Sequence, residues 1–239
     1  MIRILDQTGS TNADLLALGR EAREGDWLVA RRQIAGRGRA GRQWEDGAGN
    51  FMGSTVVILR PGDPLPQTLA LVTGLAVAEA VGAVPGAPEV MLKWPNDLLV
   101  GGAKLAGILL ERAGDSVVIG VGVNLLRAPD VPGRKTVSLA DHGAPIDPGE
   151  FADLLADCFA SALARWRGGG WDDLRAAWLA RAHPIGTALS VNDRDGQPIT
   201  GTFAGLGSDG AALLCLADGT TRPIHAGDVE MVGNDAARG

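Results

Sequence analysis

Short apolar runs bounded by glycine, proline or charged residues fill most of the chain, and their lengths predict strands more often than helices. Ile2 to Leu5 is the first such run. Ser10 then offers a cap for a helix carrying Leu15, Leu16 and Leu18. Trp27 to Ala30 reads as a strand and leads into a loop of glycines and arginines. Phe51 to Leu59 holds the β-branched stretch Thr55-Val56-Val57-Ile58 and predicts another strand. Gln67 to Val84 has helical length, with small residues that permit close packing on a sheet. Four strands follow over 89–93, 97–101, 103–112 and 116–123. Gly101-Gly102 turns the second of these into the third, and Ala113-Gly114-Asp115 turns the third into the fourth. Connections this short join only antiparallel neighbours, which disfavours a purely βαβ nucleotide-binding fold. Asp147-Pro148-Gly149-Glu150 opens a helix reaching about Trp166, and a second runs from Trp171 to Arg181.

Beyond Pro184 the texture changes. Asp195-Gly196, Asp209-Gly210 and Asp218-Gly219 punctuate short strand-like runs, the signature of successive hairpins. A module of this size forms a small β-barrel that needs a larger neighbour to pack on. The expected class is therefore α+β: a mixed, largely antiparallel sheet flanked by helices over residues 1–184, then a small barrel over 185–239 ending in a short disordered tail.

Composition narrows the function. The chain has 239 residues, 46% hydrophobic and 21% charged, which is ordinary for a protein with a real core. Its formal charge of −6 makes it a poor general binder of nucleic acid or anionic membrane, so any anion site must be local. The longest apolar stretch, Leu69 to Val84, contains Glu79 and falls short of the roughly 18 residues a spanning helix needs. The N-terminus has no apolar segment of the secretory kind. Cys158 and Cys215 lie far apart and read as two buried, reduced thiols. A cytoplasmic protein is expected, with neither membrane nor nucleic acid among its partners. His142, His183 and His225 share no metal-ligand spacing and read as surface or loop histidines, and no metal site of the chain's own is expected.

Three stretches carry candidate chemistry. Arg31 to Trp44 packs five arginines into twelve residues, with Gly36, Gly38 and Gly41 able to fold the backbone into an anion-binding nest. No helix start follows these glycines, which argues against a dinucleotide fingerprint. A solvated loop, an RG-type nucleic-acid contact, and a loop closing over phosphate and a flat ring stay open. Met91 to Glu111 embeds Lys93, Trp94, Asn96, Asp97 and Lys104 in apolar strands. The chain has three lysines against 19 arginines, and two of the three fall here. Lysine is a compact point charge and arginine a fork, so this choice suggests a reacting centre, against the simpler reading of surface lysines on a hairpin. Gly120 to Leu126 places Asn124, an amide with donor and acceptor, at a strand end, where a turn former is the plainer reading.

Together, Ser10-Thr11-Asn12, the Q-x-A-G-R-G-R-x-G-R-x-W run from Gln33 to Trp44, KWPND at 93–97, KLAGILLE at 104–111 and GVGVN at 120–124 resemble the biotin–protein ligase family, biotin–[acetyl-CoA-carboxylase] ligase. The match spans nearly the whole chain in the family's order. It is similar to the monofunctional class, without an N-terminal DNA-binding domain. The resemblance implies a class II aminoacyl-tRNA-synthetase-like biotin/lipoate ligase fold with an SH3-like C-terminal barrel. It implies an enzyme that uses ATP and Mg²⁺ to make biotinyl-5'-AMP, then passes biotin to the acceptor lysine of a biotin carboxyl carrier protein; a homodimer is compatible with it. By resemblance, Ser10, Thr11, Asn12, Gln33, Arg37, Gly38, Arg39 and Lys104 bind biotin. Arg37, Arg39, Trp44, Lys93, Asn96 and Asn124 bind ATP or the adenylate. Lys104, Arg39 and Asp97 carry the catalysis, with Mg²⁺ on the ATP phosphates near Asp97. Two stretches depart from the family: acidic EDGAG after Trp44, and 126–136, rich in Pro and Arg without an aromatic. The rival readings are a lipoate–protein ligase-like acyl-adenylate transferase and an RG-loop RNA-binding module.

Overall fold

The computed structural model describes residues 1–45, 47–192 and 198–231. Its larger part is a seven-stranded sheet. The strands are β1 (Ile2–Leu5), β2 (Trp27–Ala30), β3 (Phe51–Ile58), β4 (Met91–Lys93), β5 (Asp97–Val100), β6 (Ala103–Ala113) and β7 (Ser116–Val123), in the order β1-β2-β3-β7-β6-β5-β4. Only β1 and β2 are parallel; every other pair is antiparallel, as the short connections require. Gly101 and Gly102 both take positive φ, the conformation of a two-residue hairpin turn closed to most side chains. β4 starts at Met91, two residues later than the sequence pattern suggested, since Glu89 and Val90 stay outside the ladder.

The period-two alternation of β7 assigns the two faces of the sheet. Val117, Ile119, Val121 and Val123 join the main core, whereas Val118 belongs to a separate cluster with Leu15, Leu28 and Val56. The main core is covered by α2 (Leu69–Gly82), α3 (Pro148–Arg167) and α4 (Trp171–Ala180). α2 is apolar nearly all round because sheet and helices enclose it, which is why its sequence shows length but no polar face. Asp147 caps α3, its carboxylate accepting from Gly149 N at 2.7 Å, and Pro148 occupies the first turn. The opposite face carries α1 (Thr11–Leu18), whose buried residues are Thr11, Asn12 and Leu15. Beside α1, Gly107, Gly120 and Gly122 leave part of that face without side chains.

The C-terminal part is a five-stranded antiparallel sheet of β8 (Ala188–Asn192), β9 (Pro198–Leu206), β10 (Ala212–Cys215), β11 (Thr221–Ile224) and β12 (Asp228–Met231). The order is β11-β10-β9-β8-β12. β11 and β12 are consecutive in the chain yet occupy opposite edges. Four residues reach about 14 Å, whereas four strand spacings in a flat sheet cover about 19 Å, so the sheet must curl into a barrel. Asp209-Gly210 and Asp218-Gly219 form two of the expected hairpin turns; Asp195-Gly196 and the C-terminal tail lie outside the described residues. The barrel interior, with Val191, Phe203, Leu214 and Ile224, is continuous with the main core. Two tryptophan N–H groups tie the parts together: Trp94 donates to Gly210 O (3.0 Å) and Trp171 to Ser208 O (2.6 Å).

Two sequence expectations change here. His183 lies in a loop but is 2% exposed, its ring against Phe203 with centroids 4.2 Å apart and neither ring nitrogen hydrogen-bonded. Burial pushes its pKa below the usual histidine value. Cys158 and Cys215 are free thiols, but half-buried rather than buried. Among the described residues no helix is long and apolar enough to cross a membrane.

Candidate active site

A cavity of about 800 Å³ opens over the glycine-lined face of the sheet, and all the candidate residues named from the sequence line it. They come from five places: the start of α1 (Ser10, Thr11, Asn12), the Gly/Arg loop (Gln33, Arg37, Gly38, Arg39, Trp44), the β4–β5 hairpin (Lys93, Asn96, Asp97), β6 (Lys104) and the end of β7 (Asn124).

The deep end is a hydrogen-bonded polar chain. Gln33 Oε1 accepts from Thr11 N (2.8 Å) and Thr11 Oγ1 (3.1 Å). Thr11 Oγ1 lies 2.7 Å from Ser54 Oγ, and Ser54 donates to Asn12 Oδ1 at 2.6 Å. Asn12 Nδ2 then donates to Glu111 Oε2 at 2.8 Å, and Glu111 Oε1 meets Arg37 at 3.5 Å. Ser10, Thr11, Asn12, Gln33 and Ser54 are all buried, so their donors and acceptors face the cavity or one another in fixed orientation. Such a cradle suits a small planar group with both N–H and C=O.

The other end is cationic. Lys104 Nζ is 2.5 Å from Asp97 Oδ1, with side chains 23% and 19% exposed, and stands 5.8 Å from the centroid of the Trp44 ring. Lys93 lies nearby, and burial is the main reason its pKa falls below the normal lysine value; Arg134 and Lys104 push the same way, Asp97 and Glu230 oppose them. Arg39 donates to Asn96 Oδ1 at 2.9 Å and to Gly227 O of the barrel at 3.3 Å. In a chain of net charge −6, this gathering of cations gives a local positive region of the kind any anion site would need.

Backbone geometry shapes the floor. Gly107 and Gly122 are register partners on β6 and β7, and the Trp44 indole lies against both. A Cβ at Gly122 would collide with that ring; one at Gly107 would come within 3.1 Å of Trp44 and of Lys104 Nζ. A Cβ at Gly120 would collide with the Asn12 amide. The loop carrying Trp44 is closed by Trp44 N donating to Gly36 O (3.0 Å) and Gly38 N to Arg42 O (2.7 Å).

Asn124 is 2% exposed, and its Nδ2 donates to Lys104 O (3.3 Å) and Val137 O (3.1 Å). Its donor side is thus held by backbone, and a ligand meets this amide only at its oxygen. Sequence reasoning passed over Ser54 and Glu111, which hold the lining residues Thr11, Asn12 and Arg37 from behind, and the barrel residues Val229, Glu230 and Met231, which border the cavity. Ser54 sits in a run that reads simply as strand, and the barrel's approach is a tertiary fact. Glu111 closes the KLAGILLE run, and its strand parity with Gly107 was the available signal. Among the described residues no group of three or more His, Cys, Asp or Glu could hold a metal ion.

The sequence profile of the "Biotin/lipoate A/B protein ligase family" matches residues 4–124, and that of the "Biotin protein ligase C terminal domain" matches 186–232. A biotin–[acetyl-CoA-carboxylase] ligase of Paracoccus denitrificans is 40% identical over 223 residues, covering 88% of this chain and 92% of that one. One from Mycobacterium tuberculosis is 39% identical over 235 residues, covering 95% and 87%. The solved structure of the biotin protein ligase from Aquifex aeolicus in complex with biotin and ATP superposes with a TM-score of 0.86 over 97% of this chain and 99% of that one, at 24% identity, a likeness of fold.

Proposed function

The chain belongs to the biotin/lipoate A/B protein ligase family, and from that premise we propose that it activates biotin with ATP and transfers it to the acceptor lysine of a biotin carboxyl carrier protein. The observation that carries this reading is the single cavity joining a buried donor–acceptor cradle to a cationic end.

The cradle of Thr11, Gln33 and Asn12, held from behind by Ser54, takes the ureido ring, leaving the valeryl carboxylate to run along the glycine floor toward Lys104. In the first step a carboxylate oxygen attacks the α-phosphorus of ATP, the P–O bond to the β-phosphate breaks, and pyrophosphate leaves. Two anions must meet, so Lys104 and Arg39 offset their repulsion and stabilise charge on the phosphoryl oxygens. Asp97 holds the Lys104 ammonium in place, and Lys93 and Asn96 border the nucleotide side. Asp97 is paired with Lys104, and among the described residues no cluster of carboxylates forms a cage, so Mg²⁺ would enter on the ATP phosphates as part of that substrate. In the second step the uncharged acceptor amine attacks the acyl carbonyl, the bond to AMP breaks, and the amine's extra proton leaves to solvent. No enzyme nucleophile is needed. The Gly/Arg loop and 129–136 shield the anhydride from water. We also assign 1–184 to the catalytic part and the barrel to an assisting part that closes over the nucleotide end.

The test is ATP-dependent transfer of labelled biotin to a purified biotin carboxyl carrier domain, run beside lipoate and a lipoyl domain. Transfer of biotin alone is expected. Transfer of lipoate alone, or of neither, overturns the reading. An RG-loop RNA-binding function is checked by filter binding at about 150 mM salt, where no retention is expected.

A further inference from the structure

The GAGN stretch at 47–50 has no part in the chemistry above, yet it is built around one side chain. Asn50 is 2% exposed and does not border the cavity. Its Oδ1 accepts two consecutive backbone N–H groups, Leu126 at 3.0 Å and Arg127 at 3.1 Å, while its Nδ2 donates to Arg127 O at 2.7 Å. The glycines before it are fitted to this joint. A Cβ at Gly47 would collide with the Asn50 amide, and Gly49, at φ +84°, would place a Cβ 2.6 Å from Leu126. The ladder explains the meeting place: Phe51 pairs with Val123, so the Gly/Arg loop enters β3 at the rung from which 126–136 departs β7. Both segments form walls of the cavity, the first through Arg37, Arg39 and Trp44, the second through Pro129 and Val131 to Thr136. The second is itself folded back, with Thr136 Oγ1 donating to Pro129 O and Arg134 N to Val131 O at 3.0 Å.

We propose that Asn50 is a positioning residue that makes the two walls order as one unit, so that biotin held by the first raises affinity for nucleotide under the second. This rests on the functional reading above. Only an amide satisfies the joint, because a carboxylate accepts both N–H groups but cannot donate to Arg127 O.

The test is titration of the full chain with biotin in the absence and presence of a non-hydrolysable ATP analogue. In the wild type each ligand is expected to tighten the other by about tenfold or more. In Asn50→Asp and Asn50→Ala that factor is expected to fall below about twofold, with the affinity for biotin alone changed less than about threefold. A merely structural role would lower melting temperature and both affinities together and leave the ratio intact. An unchanged ratio in either folded variant overturns the joint while leaving the ligase reading in place, as does a wild type that binds both ligands independently. A wild type that binds neither overturns the ligase reading. Hydrogen exchange of the wild type needs no variant: biotin alone should slow the Leu126 and Arg127 amides by about tenfold or more, and unchanged exchange there overturns the joint.

Discussion

At Lys104 an ammonium stands between the Asp97 carboxylate and the face of Trp44, with its methylene stem against Gly107. Lys104→Ala is expected to slow biotin-dependent pyrophosphate release by about 10²–10³-fold, with little change in melting temperature, since the pair is partly solvated. Gly122→Ala is expected to act from the other side, by forcing the indole off the floor. Its kcat/KM for biotin should fall by about tenfold or more, with a shift in tryptophan emission. These positions were legible in the sequence for a chemical reason: a lysine in an arginine-biased chain, and glycines at alternate positions of a strand, are choices that packing alone does not explain. Ser54 and Asn50 were not legible. A hydroxyl inside a β-branched run and an amide ahead of a strand satisfy local rules already, and only cross-strand register shows what they touch.

The elements themselves were readable wherever a turn or cap has its own chemistry. Gly-Gly and Asp-Gly located the β5–β6, β9–β10 and β10–β11 hairpins, and Asp-Pro located the start of α3. The pairing of β1 with β2 in parallel was not readable, because α1 and the chain that follows it bridge the two strands and leave no local mark of direction. Nor was the reach of Arg39. It comes from a loop of the larger part, yet it bonds both the β4–β5 hairpin and the backbone of the barrel. Arg39→Gly removes both bonds and adds freedom to a loop that must cover a reactive anhydride. The variant is expected to form biotinyl-AMP still but to release it about tenfold faster or more, measured by adenylate escape after rapid dilution, and to label lysines on bystander proteins.

For the whole molecule, the shared core decides how far the two parts can be separated. Leu189, Phe203, Leu206 and Leu214 bury themselves in the same cluster as α2 and α4. A chain cut after Pro184 is therefore expected to lose more than about 10 °C in melting temperature, or to aggregate, and to lose carrier transfer with it. Full activity per folded molecule would leave the barrel without a part in turnover. The same seam holds a pH dependence. His183 packs against Phe203 with Lys93 as the nearby charge, and its pKa in the fold lies below the unfolded value of 6.5. The unfolded chain takes up that proton first, so this contribution to stability is complete above pH 6.5 and falls as pH drops toward the folded value. His183→Leu is expected to flatten the loss of melting temperature between about pH 7 and about pH 5. The barrel's position also bears on the order in which the molecule is made. Thr11 and Gln33 are translated well ahead of Gly227, which anchors Arg39, and of Val229 to Met231, which border the same cavity. A nascent chain therefore carries the cradle before it can close the nucleotide end, and the cavity is whole only after both parts have been made.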